Sequence, residues 1–216
     1  MSKNPSHSFS PYKILLLGDS SVGKTTFFYK VIDNKSQGNY LSSIGIDVRT
    51  SIQEIKDKNN NKLKLSLKLW DTAGQERFRE LSMGYVKDAD AIVLMFDISN
   101  KDSFDNLKDW ITRIENNNCE LKYGKYLIKL IGNKEDLRQK ETRTPNVTLS
   151  DVEEEFKDSL VEFYGFYSAK EDSQEKLNGI LNKITQELYE KIGVKYDNGN
   201  VRELSMDDNK KDKCCN

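Results

Sequence analysis

Apolar positions along this chain change their period several times, and each change marks a predicted element. Residues 13–17 run Lys-Ile-Leu-Leu-Leu and close on Gly18, a short apolar stretch of the kind that forms a strand covered on both faces. Residues 24–32 read as a short helix. Residues 46–70 predict a hairpin: IDVRTSIQEI, a polar turn KDKNNN, then KLKLSLKLW. In the second arm Leu63, Leu65, Leu67 and Leu69 alternate with lysine or serine, which is period two and gives a strand with one buried face. Residues 91–96 (AIVLMF) and 126–131 (YLIKLI) are further buried strands. Between them Phe104, Leu107, Trp110, Ile111 and Ile114 recur at intervals of three and four, predicting one amphipathic helix over 103–116 with Ser103 as its cap. Ser150 followed by Glu153 opens another helix in capping-box form, running to about residue 160. A last strand is predicted over 163–167. Leu177, Ile180, Leu181, Ile184 and Leu188 then stripe a terminal helix that ends near Gly193.

Strands alternating with helices, plus one hairpin, predict an α/β domain with a mostly parallel sheet over about residues 12–192. Residues 1–11 read as a flexible N-terminus. Residues 194–216 carry few apolar groups and no periodicity, which predicts a disordered tail. The balance of 34 Lys+Arg against 35 Asp+Glu, a net charge of −1, leaves no excess to drive binding to nucleic acid. With no apolar run longer than six residues, no transmembrane helix is expected. The opening MSKNPSHSFSP lacks the apolar stretch of a secretory signal, so the expected compartment is the cytosol. A single histidine, His7, removes a catalytic triad and any multi-histidine metal site. Cys119 and the terminal Cys214 and Cys215 form no Cys-x-x-Cys pair, so neither a zinc knuckle nor thioredoxin-like chemistry is indicated.

Residues 18–25 are Gly18, Asp19, Ser20, Ser21, Val22, Gly23, Lys24 and Thr25, a match to G-x-x-x-x-G-K-[ST] between a strand and a helix. Such a loop points backbone N–H groups at phosphate oxygens, and the helix N-terminus adds its positive end. Lys24 would reach the β- and γ-phosphates, and the Thr25 hydroxyl would ligate Mg²⁺. The loop alone leaves ATPases, small-molecule kinases and GTPases open. Asn133, Lys134 and Asp136 follow a strand at its carboxyl end, where ligands bind in open α/β sheets. An Asp carboxylate there accepts from guanine N1–H and the 2-amino group, two donors that adenine lacks. Ser168, Ala169 and Lys170 follow the last strand and can bring a backbone N–H to guanine O6. Taken singly these are ordinary polar turns; in this order they favour guanine. Asp71, Gly74 and Gln75 in WDTAGQE could hold Mg²⁺ through water, offer an N–H to the γ-phosphate and orient an attacking water.

With GDSSVGKT, SSIGID, LWDTAGQERFR, NKED and SAK in that order, the chain resembles the Ras superfamily of small GTPases, and within it the Rab type. The resemblance implies a P-loop NTPase G domain: a six-stranded, mostly parallel sheet with one antiparallel edge strand and about five helices on both faces. It implies bound GTP or GDP with Mg²⁺, and slow hydrolysis, since no motif supplies an arginine finger. It also implies Ser43 on Mg²⁺ and two switch segments, one carrying Ile44, Gly45, Ile46 and Asp47, the other Trp70, Arg77 and Phe78. Expected partners are exchange factors, GTPase-activating proteins, a GDP-dissociation inhibitor, prenylation enzymes and effectors.

The chain departs from the family pattern at several points. Ser43 stands where Thr is usual, Ser36 where an aromatic ring is usual, Val48 closes IGID, and residues 85–89 read YVKDA. The end Cys214-Cys215-Asn216 is no CaaX box, because the fourth residue from the end is Lys213. It matches the doubly geranylgeranylated Cys-Cys-x ending, and two lipids anchor stably. The expectation is a Rab-type GTPase that recruits effectors on the cytoplasmic face of an intracellular or plasma membrane in vesicle trafficking, with a cytosolic pool. A guanine-nucleotide-dependent interaction module with poor hydrolysis is the alternative. A metabolic P-loop kinase leaves NKED unexplained.

Overall fold

The computed structural model describes residues 10–32, 46–72, 83–86, 88–116, 127–138, 146–159, 161–195 and 201–202. In chain order the elements are β1 (Tyr12–Leu17), α1 (Lys24–Ile32), β2 (Ile46–Lys56), β3 (Lys62–Thr72), β4 (Ala91–Asp97), α2 (Lys101–Asp105), α3 (Leu107–Asn116), β5 (Leu127–Asn133), a 3-10 turn (Glu135–Leu137), α4 (Leu149–Phe156), β6 (Val161–Phe166) and α5 (Gln174–Ile192). Six strands form one sheet in the order β2-β3-β1-β4-β5-β6. Only β2 runs antiparallel, paired with β3 along its whole length from Ile46 opposite Thr72 to Lys56 opposite Lys62. β1 pairs in parallel with both β3 and β4. The chain therefore reverses its direction of winding beside β1, which places a crevice at the carboxyl ends of the central strands.

The apolar runs of the central strands are continuous because both faces are covered, and residue parity sorts them into two cores. Ile14, Leu16, Ala91, Val93 and Met95 pack with Phe27 and Phe28 of α1 and with Leu177, Leu181, Ile184 and Leu188 of α5. Leu15, Leu17, Ile92, Leu94 and Phe96 pack on the other face with Phe104, Leu107, Trp110, Ile114 and Val152. Leu65, Leu67 and Leu69 join the first core, with Leu63 half-buried beside them, so the predicted single buried face of β3 is present.

Four local expectations are corrected. The predicted helix over 103–116 is two helices broken at Asn106. Ser103 is not its cap: it lies inside α2, where its hydroxyl accepts from the Asp97 N–H and donates to the Asn100 carbonyl. That serine competes for backbone groups as an internal residue, a use that period alone does not separate from capping. The capping box of α4 sits two residues earlier than predicted, on Thr148 and Asp151, because Thr-x-x-Asp offers the same reciprocal bonds as Ser-x-x-Glu. After Gly193, where no regular structure is predicted, β7 (Val194–Lys195) pairs antiparallel with β8 (Val201–Arg202). His7, Ser36, Cys119 and Tyr126 lie outside the described residues, and none of the described helices is long and apolar enough to cross a membrane.

Candidate functional site

The loop after β1 turns back over β4. Gly18 has φ +134°, and a Cβ there would lie 2.1 Å from the Met95 carbonyl oxygen, so only glycine fits. Gly23 has φ +100°, and its Cβ would meet the Asn133 amide nitrogen at 2.2 Å. Ser21 also takes a left-handed conformation, φ 62°, costing about 1 kcal/mol that the surrounding loop must offset. Lys24 opens α1 with only 4% of its surface exposed. Its ammonium donates to the carbonyl oxygens of Gly18 at 2.9 Å and Asp19 at 2.7 Å, so the lysine closes the ring of the loop. Burial lowers its pKa from 10.5 to about 8, against the opposing pull of the Asp71 and Asp19 carboxylates.

Thr25, one residue further, donates its hydroxyl to Asp71 Oδ2 at 2.6 Å. Asp71 is the last residue but one of β3 and is 1% exposed. A hydroxyl and a carboxylate converging from two elements are hard oxygen donors of the kind Mg²⁺ takes, usually one or two at a time beside waters and phosphates. The donor set therefore fits Mg²⁺ and not a soft metal. Beside it, Asp47 accepts from the Tyr29 hydroxyl at 3.0 Å and pairs with Arg49 at 3.3 Å. Ile46 opens β2, half-buried. Trp70 lies half-buried, with the Tyr85 ring 5.6 Å and the Lys13 ammonium 4.7 Å from its own ring.

At the end of β5, Asn133 is 2% exposed and bridges two loops. Its side-chain N–H donates to the Val22 carbonyl at 2.7 Å, and its oxygen accepts from the Ala169 N–H at 2.9 Å. Val22 itself is buried. Lys134 is left-handed, φ 67°, and its ammonium pairs with Asp97 at 2.6 Å. Asp136, in the 3-10 turn, accepts from the Ser168 hydroxyl at 2.6 Å. That hydroxyl also accepts from the Glu171 N–H, while the Ser168 N–H donates to Asp172. The Lys170 carbonyl accepts from Lys30 at 3.4 Å. The loops after β1, β5 and β6 are thus tied into one cradle at the carboxyl ends of the strands.

Of the residues predicted from sequence, those of the loop over 18–25, Asp71 and the 133–136 and 168–170 turns are brought together. Ser43, Ile44, Gly45, Gly74, Gln75, Arg77, Phe78, Cys214 and Cys215 lie outside the described residues. Three residues of the cradle escaped the sequence reading. Asp97 ends an apolar strand directly opposite Asn133 in register, and that placement is a signal. Asn106 and Trp110 bond Asp19 through side-chain N–H groups; Trp110 fits the apolar period, which hides its donor.

The protein-family model described as the Ras family matches residues 13–190. Rab-26 of rat, a Ras-related protein, is 40% identical over 129 residues, taking in 59% of this chain and 47% of that protein. Human Rab-27B is 43% identical over 131 residues, 58% of each. The chain thus spans about half the length of these curated relatives in the matched segments. With human Rab-37 the match is 31% over 208 residues, 94% of this chain and 85% of the relative. The chain is a Rab-like member of the Ras family.

Proposed function

We propose that the chain is a guanine-nucleotide switch that binds GTP and GDP and hydrolyses GTP slowly. The observation that carries this reading is the cradle. One buried lysine on a glycine loop, one hydroxyl–carboxylate pair and one base-height carboxylate converge at the carboxyl ends of β1, β3 and β5. In this reading the loop N–H groups and Lys24 bind the phosphates. On nucleotide binding Lys24 would trade two carbonyl acceptors for charged phosphate oxygens, which makes a charge-assisted contact. Thr25, Ser43 and Asp71 would hold Mg²⁺, which when bound neutralises charge between the β- and γ-phosphates. Asp136 reads the guanine edge, already oriented by the Ser168 hydroxyl, and Asn133 holds the two loops at the correct separation. The Ala169 N–H would meet O6, and Lys134 and Lys170 would line the base.

Gln75 orients the attacking water, and Gly74 senses the γ-phosphate. The two switch segments, over 43–47 and 70–78, present different surfaces to effectors in the two nucleotide states. Cys214 and Cys215 are the prenylation sites that anchor the chain to the cytoplasmic face of a membrane. Exchange factors, GTPase-activating proteins and a GDP-dissociation inhibitor drive the cycle in vesicle trafficking. The test is chromatography of the nucleotide released by denaturing freshly purified protein. Guanine nucleotide in near-stoichiometric amount is expected; adenine nucleotide, or none that exchanges with added GDP, refutes the reading.

A further inference from the structure

The second residue of the phosphate loop is an aspartate. A carboxylate there is a liability in a cradle for a polyphosphate, since like charges repel over the few ångströms involved. In the structure its two oxygens are both taken by donors from outside the loop. Asp19 Oδ2 accepts from the Asn106 amide at 2.6 Å and Oδ1 from the Trp110 indole N–H at 2.8 Å. Asn106 stands at the break between α2 and α3 and Trp110 lies in the first turn of α3, and both donors are neutral. Trp110 is 1% exposed and fixed in the second core, so its N–H cannot follow the carboxylate if the loop moves. Asn106 stands at the break itself, where its carbonyl accepts from the Trp110 N–H and its own N–H donates to Asp102.

We infer that Asn106 and Trp110 are positioning residues which latch the Asp19 carboxylate away from the phosphate cradle and so set how fast nucleotide leaves. Neither belongs to a nucleotide-binding motif. The Asp19 carbonyl accepts from Lys24, so a latch on the side chain also fixes the backbone that Lys24 reads. With the latch open, the carboxylate is free to turn toward the phosphates. This inference rests on the proposed nucleotide reading.

The experiment is displacement of fluorescent mant-GDP by excess GDP, in Mg²⁺, from the full chain and from Asn106→Ala, Trp110→Phe, Asp19→Asn, Asn106→Ala/Asp19→Asn and Trp110→Phe/Asp19→Asn. Loss of one hydrogen bond to a charged group should speed release about tenfold in each latch variant. Adding Asp19→Asn should slow release again, because the charge that the latch restrained is gone; loss of packing alone gives no such reversal. Asn106 is exposed, so its pair of variants carries the comparison if Trp110→Phe does not fold. Release unchanged in Asn106→Ala, or a double variant as fast as its latch parent, overturns the latch. A wild type that binds no mant-GDP overturns the nucleotide reading and the latch with it; a wild type that binds, with variants that do not differ, overturns the latch alone.

Discussion

Asn133 gives the most exacting test of the cradle, because its effect can be computed from what it touches. Replacing it by alanine removes one donor and one acceptor from a site that is 2% exposed. The Val22 carbonyl and the Ala169 N–H, bonded to it at 2.7 and 2.9 Å, are then both left without that partner. Each buried backbone group left unpaired costs about 1–3 kcal/mol, so the loss is about 2–6 kcal/mol. A water entering the space would hold it near the lower bound. Against a total stability of about 5–15 kcal/mol, this is a large fraction, and Tm should fall by about 2–4 °C per kcal/mol for a chain of this size. Asn133→Asp separates the two bonds. It keeps an acceptor for Ala169 but sets a carboxylate oxygen against the Val22 carbonyl, so it should be no better than alanine. The assay is urea unfolding of nucleotide-stripped protein, followed by the fluorescence of Trp70 and Trp110, because bound nucleotide would add stability of its own. A loss under about 1 kcal/mol for Asn133→Ala, or wild-type stability for Asn133→Asp, would refute the bridging role.

Four further outcomes are expected. Asp136→Asn should turn the acceptor facing the base into a donor and shift preference from guanosine toward xanthosine diphosphate by about 100-fold or more; unchanged GDP affinity in competition binding removes the base-reading role. Gln75→Leu should bind GTP as wild type does but hydrolyse it at least about tenfold more slowly in single turnover, and an unchanged rate rejects the water-orienting role. Cys214→Ser with Cys215→Ser should move the protein from the membrane pellet to the supernatant without altering mant-GDP affinity; continued pelleting rejects the lipid anchor. Burial first, and then the Asp90 charge, raises the Tyr12 pKa above its ordinary 10.0, so the folded state keeps a proton that the unfolded state loses. Stability should therefore be full below pH 10 and fall as pH rises past it, by up to about 1.4 kcal/mol per pH unit for this group. Tyr12→Phe should flatten that slope in urea melts at pH 9 to 11; an equal slope in both proteins excludes Tyr12 as its source.

The elements most legible in the sequence were those whose period had one cause. β3 shows its buried face as a leucine at every second residue, and α1 is bounded by a glycine loop and the end of its apolar stretch. The places of the P-loop and of NKED in the fold were legible because each follows an apolar strand at its carboxyl end, and of WDTAGQ only residues 70–72 lie among those described. Illegible features had two causes competing at one residue. Ser103 could cap or bond internally, and the backbone of Asp97 decides it. Trp110 satisfies the apolar period and also carries a donor, and only the position of Asp19 shows that the donor is used. Asn133 reads as a base contact from its motif, while its side chain spans two loops that are 36 and 111 residues away in sequence. No local pattern encodes such a distance.

The second arm of the sheet carries one further consequence. Lys129 sits in the middle of β5 on the α5 side, 2% exposed among leucines and isoleucines. Its ammonium is paired with Glu162 of β6 and Glu187 of α5 and lies 5.0 Å from the Tyr164 ring. A stripe of Leu and Ile at intervals of three and four looks much the same to a flat sheet after a slide of one turn, about 5.4 Å. Greasy contacts alone therefore leave the docking of α5 nearly degenerate. A slide would carry Glu187 away and leave the buried ammonium with Glu162 alone, so a misdocked α5 loses one of its two ion pairs. Lys129 acts as an indexing peg: it adds little to the depth of the native well but removes the neighbouring ones. Through Gly193, whose carbonyl accepts from the Tyr12 hydroxyl at 2.5 Å, that index fixes the point at which the C-terminal segment leaves the sheet.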